Sequence, residues 1–380
     1  MNWQEDVIRI IRKLDYVKTT LKDLFSGRDT VVDLLALAAV SRENMLLIGP
    51  PGTAKTDLIS RFCKLVDAES FHYLLTRFTE PSELFGPLDV KKFQEGQYYI
   101  RTERMLPNAR IAFLDEVFQG NSAILNALLT LVNERIFFNG PEKMASPLIS
   151  LIGASNFIPD DPWLSAFADR FALRLEVTSS REDQMEELIA KGWALEQDRN
   201  GNFGQVSAIT HQELTILNGL ISQVNVTAIR DEYIQIVREL RSEGVGLSDR
   251  RLVKGLKLIA GAAVLRAGTE AQMEDLWPVL HMWGRVEEAD VFRRVVEPRL
   301  AQTGAATSGS RSTEDLRLDL DVLVAQESML RTETSIGAHL RRLNDLRREL
   351  IVNHPRATDL RKEIESGIQR NIEKLQVANV

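Results

Sequence analysis

Apolar residues recur at helical spacing through the first segment of the chain. Val7, Ile8, Ile11, Leu14, Val17, Leu21 and Leu24 share one face of a helix predicted over residues 4–25. A second helix is expected from Asp29, a capping residue type, to Val40. The pattern then shortens. Four consecutive apolar residues, Met45 to Ile48, read as a buried strand, and a helical stretch from Asp57 to Val66 follows a Gly- and Pro-containing loop. Further strands are expected at Phe71–Leu75, Ile111–Leu114, Leu148–Gly153 and Leu173–Val177. An amphipathic helix over 121–134 carries Ile124, Leu125, Leu128, Leu129 and Val132. Segment 79–87 suits a short helix capped by Thr79 or Ser82. The alternation over 88–105 around Gly96 predicts a hairpin, and 136–145 a second turn or hairpin. Strands alternating with helices predict a mostly parallel sheet flanked by helices.

From about 182 onward the periodicity is helical, interrupted by the polar stretch Gln197 to Gly204 and resuming over 210–300. Residues 302–312, rich in Gly, Ser and Thr, read as a linker. Beyond it, 313–352 and 357–377 are charged helices separated at Pro355, compatible with an antiparallel pair or a coiled coil with another chain.

Composition narrows the classes. A chain of 380 residues accommodates two or three domains. No run of about 18 apolar residues occurs, so no membrane span is expected. The polar start, Met1 to Asp6, argues against a secretory signal, and a single cysteine, Cys63, fits a reducing compartment; a cytoplasmic location is expected. The net charge of −7 does not favour nucleic acid as a partner. The five histidines are scattered without metal-ligand spacing.

The chemistry concentrates in a few short motifs. Gly49-Pro50-Pro51-Gly52-Thr53-Ala54-Lys55-Thr56, between a strand and a helix, has the form of a phosphate-binding loop. Its backbone N–H groups and the helix N-terminus would cradle phosphate, Lys55 would reach the β- and γ-phosphates, and the Thr56 hydroxyl would bind Mg²⁺. Ala54 replaces the usual last glycine; as the residue that opens the helix it is expected to hold a negative φ. Asp115, at a strand end, suits Mg²⁺, and Glu116 suits a general base. Asn156 ends the next apolar strand and can orient water or contact phosphate. Arg170, in Phe167 to Phe171, suits a cation delivered to a neighbouring subunit's γ-phosphate or, equally, an ion-pair partner in the neighbourhood of Asp169, with Arg174 as a competitor. Ser248 is a helix cap, and Arg250 and Arg251 in the first turn oppose the helix dipole, which points to an external anion.

Taken in order, these motifs resemble those of AAA+ ATPases. The stretch Thr76 to Pro87 is similar to the helix-2 insert of the MoxR family. Phe113 to Glu116, Ile124 to Leu129, Asn133-Glu134-Arg135 and Ala154-Ser155-Asn156 also look MoxR-like, and Ser248-Asp249-Arg250-Arg251 is similar to the RavA branch. The resemblance covers roughly 5–300. It implies an α/β P-loop core with a helix-2 insert (1–200), an all-α lid (201–301), the linker (302–312) and a C-terminal helical extension (313–380) outside the resemblance. It further implies a ring-forming, usually hexameric, Mg²⁺-dependent ATP hydrolase that remodels or activates a protein with a von Willebrand factor A-domain partner. Lys55 and Thr56 would be Walker A, Asp115 and Glu116 Walker B, Asn156 sensor 1, Arg170 the arginine finger and Arg250 sensor 2, with Arg251 as runner-up. Val40 to Asn44 would lie near the adenine, and the two hairpins would face the pore or the partner. The alternative is a nucleic-acid translocase, with Lys91, Lys92, Arg101 and Arg104 as its basic residues, diluted by Glu95 and Glu103.

Overall fold

The computed structural model describes residues 3–178, 185–197, 208–301, 313–327, 330, 333–353 and 357–378. The linker 302–312 and most of the polar stretch after Gln197 lie outside the described residues. Two helices lead the chain, α1 (Glu5–Leu24) and α2 (Asp29–Ser41). Asp29 is the first helical residue of α2, and Arg28 occupies the cap position. From Val31 to Ser41 all of α2 except Asp33 is buried, as expected of a helix apolar on every side. Then follow β1 (Met45–Ile48), α3 (Lys55–Leu65), β2 (Ser70–Leu74), α4 (Pro81–Phe85), α5 (Val90–Gln94), β3 (Ile111–Asp115), α6 (Ser122–Glu134), the hairpin β4 (Ile136–Asn139) and β5 (Glu142–Ala145), β6 (Ser150–Ser155), α7 (Pro162–Ala168) and β7 (Leu173–Glu176).

Five strands form one parallel sheet in the order β2-β3-β6-β1-β7. The central strands β1 and β6 are buried along their whole length, which is why they read as unbroken apolar runs. Because every strand points the same way, the residues that follow β1, β3 and β6 share one edge of the sheet. The residues that precede β1 and β7 share the opposite edge.

The insert differs from the expectation. Residues 88–105 do not form a hairpin. Asp89 caps α5 by accepting from the N–H groups of Lys91 and Lys92, and only the bridge Leu88–Ile100 pairs the two limbs. A carboxylate cap two residues before a Lys-Lys pair outcompetes strand pairing here. In α4 the cap is Glu80, in a reciprocal box with Glu83, rather than Thr79 or Ser82. The second hairpin is present, and the Asn139 amide bonds to both N–H and C=O of Ile100, joining it to the insert. Two of the basic residues are already engaged: Lys92 lies 3.3 Å from the Tyr99 ring centroid and Arg101 bonds Asp89 at 2.9 Å.

After β7 come α8 (Met185–Gln197), α9 (His211–Leu220), α10 (Thr227–Ser242), α11 (Asp249–Leu265), a 3-10 segment (Met273–His281) and α12 (Ala289–Ala301). They share the main hydrophobic core with the sheet. Buried Glu43, just before β1, receives Lys254 and Lys257 of α11 at 2.6 and 2.8 Å.

The C-terminal region holds three helices rather than two: α13 (Thr313–Glu327), α14 (Glu333–Asn353) and α15 (Thr358–Ala378). They enclose a separate core that includes Leu316, Leu320, Leu343, Leu346, Leu350 and Ile364. This bundle docks on α1: Arg12 pairs with Asp319 at 3.2 Å, and Arg342 stacks over Tyr16 at 4.5 Å while donating to its carbonyl at 3.3 Å. Tyr16 packs against both cores, but each has its own buried centre, and two such cores should behave as separable units. A chain ending at residue 301 is expected to retain one cooperative thermal transition by circular dichroism; loss of that transition would show that the bundle is integral to the core.

Candidate functional site

The loop after β1 is shaped by two glycines. Gly49 has φ +150°, and a Cβ there would lie 2.0 Å from the Val177 carbonyl oxygen; Gly52 has φ +80°. Helix α3 begins at Lys55, two residues earlier than its sequence pattern suggests, so Lys55 and Thr56 stand in its first turn. The Lys55 ammonium donates to the carbonyls of Gly49 at 2.8 Å and Pro50 at 3.0 Å. Burial pushes its pKa down, while Asp115 and Glu116 push it up and Arg28 again lowers it. Ala54 corrects the sequence expectation. Its φ is +58°, in the left-handed region, so the position does call for glycine and the methyl sits in a strained backbone.

The adjacent strands bring the other candidates to the same edge. Asp115 ends β3, and its carboxylate accepts the Glu116 N–H at 3.0 Å. Glu116 itself has φ +50°, a conformation that turns the chain sharply out of the strand. The Asn156 amide, just past β6, donates to Glu116 Oε1 at 3.0 Å. Lys55, Asp115, Glu116 and Asn156 are therefore one cluster. Carboxylates plus the Thr56 hydroxyl form an all-oxygen donor set that suits a hard cation shared with phosphate. No cluster of three or more His, Cys, Asp or Glu able to hold a metal by protein ligands alone occurs among the described residues.

Arg170 and Arg250 lie elsewhere. The Arg170 carbonyl accepts from Asn44, which precedes β1, so this residue is at the sheet edge opposite the Gly-rich loop. Its guanidinium donates to Ala166 and faces Asp169 at 3.8 Å. Burial lowers its pKa first, and the nearby charge of exposed Arg250 lowers it further. Ser248 caps α11 as expected and also donates to Asp169 at 3.1 and 3.2 Å. Arg251 is buried: it donates to the Trp283 carbonyl at 2.9 Å and faces Asp169 at 3.9 Å. Arg174 is also buried, donating to the carbonyls of Gly284 and Ala168, and burial pushes its pKa down to about 9. The competitors Arg174 and Arg251 are thus buried and structural; Arg170 is half-buried beside Asp169, and Arg250 is exposed.

One other expectation moves. Ser41, Glu43 and Asn44, with Val40, are buried before β1, at the edge away from the loop, and are pinned there by Arg135, whose guanidinium donates to the carbonyls of Arg42 and Ile149. Residues 40–44 therefore do not border the Gly-rich loop. The segment that does was missed: Leu24, Phe25, Ser26 and Arg28 join Pro51 to Ala54, Asp57 and Arg61 around a cavity of about 430 Å³, closed on the far side by Leu188, Lys191 and Leu195 of α8. Ser26 Oγ donates to Glu187 at 2.8 Å, tying α8 to this wall. A Gly-Arg pair opening a helix was the available signal.

Residues 12–219 match a family model described as the MoxR domain in the MoxR-vWA-beta-propeller ternary systems. The uncharacterized protein MJ0079 of Methanocaldococcus jannaschii is 35% identical over 289 residues, 76% of this chain and 74% of that protein. Chaperone MoxR1 of Mycobacterium tuberculosis is 25% identical over 173 residues, 44% of this chain and 45% of that one. A crystal structure from Cytophaga hutchinsonii shares the fold with a TM-score of 0.64 at 18% identity, covering 79% of this chain and 96% of its own.

The strained Ala54 yields a direct test. Ala54→Gly is expected to stabilise the protein by about 1 kcal/mol, read as an upward shift in Tm. An unchanged or lowered Tm would show that the left-handed conformation is not held in solution.

Proposed function

We propose a function for this chain on the premise of the family it belongs to, the MoxR AAA+ ATPases: it is a Mg²⁺-dependent ATP hydrolase that works as a ring. One observation carries the reading. Lys55, Asp115, Glu116 and Asn156 stand at one edge of the sheet and the cations Arg170 and Arg250 at the other. A single chain cannot bring them to one phosphate; a neighbour supplying its opposite edge can. This supports a nucleotide site between subunits, in a homo-oligomer that we take to be a hexamer.

In this site the P-loop N–H groups and Lys55 bind the β- and γ-phosphates of ATP, Lys55 leaving the loop carbonyls it now bonds. Thr56 and Asp115 would hold Mg²⁺, which supplies charge neutralisation on the phosphates. Glu116 takes a proton from the attacking water, and Asn156, bonded to its carboxylate, keeps that group oriented. Arg170 and Arg250 stabilise the charge that develops on the neighbour's transferred phosphoryl group. The base lies in the cavity beside residues 24–28.

The remaining organisation follows the same reading: core 1–200, lid 201–301, linker 302–312 and C-terminal bundle 313–380. The matched family model supports a von Willebrand factor A-domain partner and adds a β-propeller component that motif reading did not foresee. The ring would remodel or activate a protein in company with them, in the cytoplasm. The Ser248 to Arg251 motif supports placement near the RavA branch. The translocase alternative is weakened by the engagement of Lys92 with Tyr99 and of Arg101 with Asp89. No helix among the described residues is long and apolar enough to cross a membrane.

Glu116→Gln is expected to bind ATP yet lower kcat by about 10²- to 10⁴-fold; normal turnover would remove Glu116 as the base. Arg170→Ala and Lys55→Ala should each abolish most activity. Mixed under subunit exchange, they should regain part of it, because some interfaces then join two intact halves. Absence of any recovery would overturn the shared site.

A further inference from the structure

The α1–α2 turn places a second cation against the Gly-rich loop. Gly27, with φ +67°, reverses the chain so that Arg28, the next residue, faces the loop. Arg28 Nε donates to the Thr53 carbonyl at 3.3 Å and Nη1 to the Gly27 carbonyl at 3.1 Å. Its Nη2 has no protein acceptor among the described residues, and the side chain lines the cavity that opens beside Pro51 to Ala54. Building on the nucleotide site proposed above, we infer that Arg28 is a nucleotide-binding residue whose guanidinium contacts the phosphate chain of the bound nucleoside di- or triphosphate in its own subunit.

The electrostatics support this. Arg28 and Lys55 are like charges close enough for Arg28 to lower the Lys55 pKa, and burial lowers both. Lys55 has the acids Asp115 and Glu116 near it, whereas burial is the one influence on Arg28, and a partly desolvated guanidinium without a counter-charge is costly. Of the two acids on the cavity wall, Asp57 and Glu196, Asp57 is already paired with Arg61 at 3.2 Å. The Arg28 backbone is set by the glycine before it and the helix after it, so its position does not depend on ligand. A planar guanidinium with one N–H bound to the loop and another unshared suits simultaneous bracing of the loop and contact with phosphate oxygens.

Equilibrium binding of ADP to the full chain tests the assignment, comparing Arg28→Ala, Arg28→Lys and Arg28→Gln with the parent. Arg28→Ala should raise Kd about tenfold or more, and Arg28→Lys, which keeps the charge, should recover part of it. Arg28→Gln keeps a donor for Thr53 but no charge, and should recover little. The difference between parent and Arg28→Ala should shrink as salt screens the contact. An unchanged Kd in Arg28→Ala, or recovery by Gln but not by Lys, would overturn the contact and leave a loop brace only. If Arg28→Ala fails to fold, the Lys and Gln variants decide the same question. Lys55→Ala separates the two readings. If it loses ADP while Arg28→Ala does not, this inference alone fails; if it binds ADP normally, the nucleotide site itself fails.

Discussion

The parallel register of the central strands is the constraint on which the rest of this molecule depends. Pairing Met45 with Ile152 and Leu173, and Ile111 with Ser150, aligns the strand ends to within a residue or two. That alignment collects the Gly-rich loop, Asp115, Glu116 and Asn156 at one edge, although more than a hundred residues separate Gly49 from Asn156 in the chain. The same register sends Arg170 to the other edge. Shifting β3 by one residue would turn Asp115 from the edge to the opposite face, since side chains alternate along a strand.

A second interaction set joins the two cations to one another. Asp169 accepts from Ser248, the cap of α11, and faces both Arg170 and Arg251. Arg251 and Arg174 reach in turn to the carbonyls of Trp283 and Gly284. The helices after residue 208 are thereby fastened to the residue beside the candidate finger. Buried arginines with lowered pKa values are tolerable here because carbonyls and two carboxylates, Asp169 and Glu288, surround them. The consequence is positional: a movement of α11 carries Arg250 and is felt at Arg170.

The core and the C-terminal bundle stand in a different relation. The nine central residues of the bundle form their own cluster, and its contact with α1 is carried largely by arginines and an aromatic ring. The family match ends at residue 219 and the shared fold covers 79% of the chain. A module with its own core, appended to the sheet-bearing core, is suited to vary between relatives without disturbing the sheet.

Much of this protein was legible in its residues. Strand and helix periodicity located α1 to α3, α6 and the five sheet strands to within about two positions, because buried central strands must be apolar and amphipathic helices must repeat; it did not foresee α5 or α7, and the hairpin it expected over 88–105 is not formed. The Gly-rich octet, Asp115-Glu116 and Asn156 pointed to a candidate phosphate site, and the structure brings them to one edge of the sheet. Three things were decided only by the tertiary structure. The left-handed backbone of Ala54 is imposed by the turn into α3, which spacing does not report. The sorting of the four arginines into a buried pair, 174 and 251, and a more accessible pair, 170 and 250, depends on packing against Trp283 and Gly284. Arg28 entered the site because a helix turn far from the motif folds back onto it. Local sequence records what a residue can do chemically, while long-range packing determines which partners, and how much water, it meets.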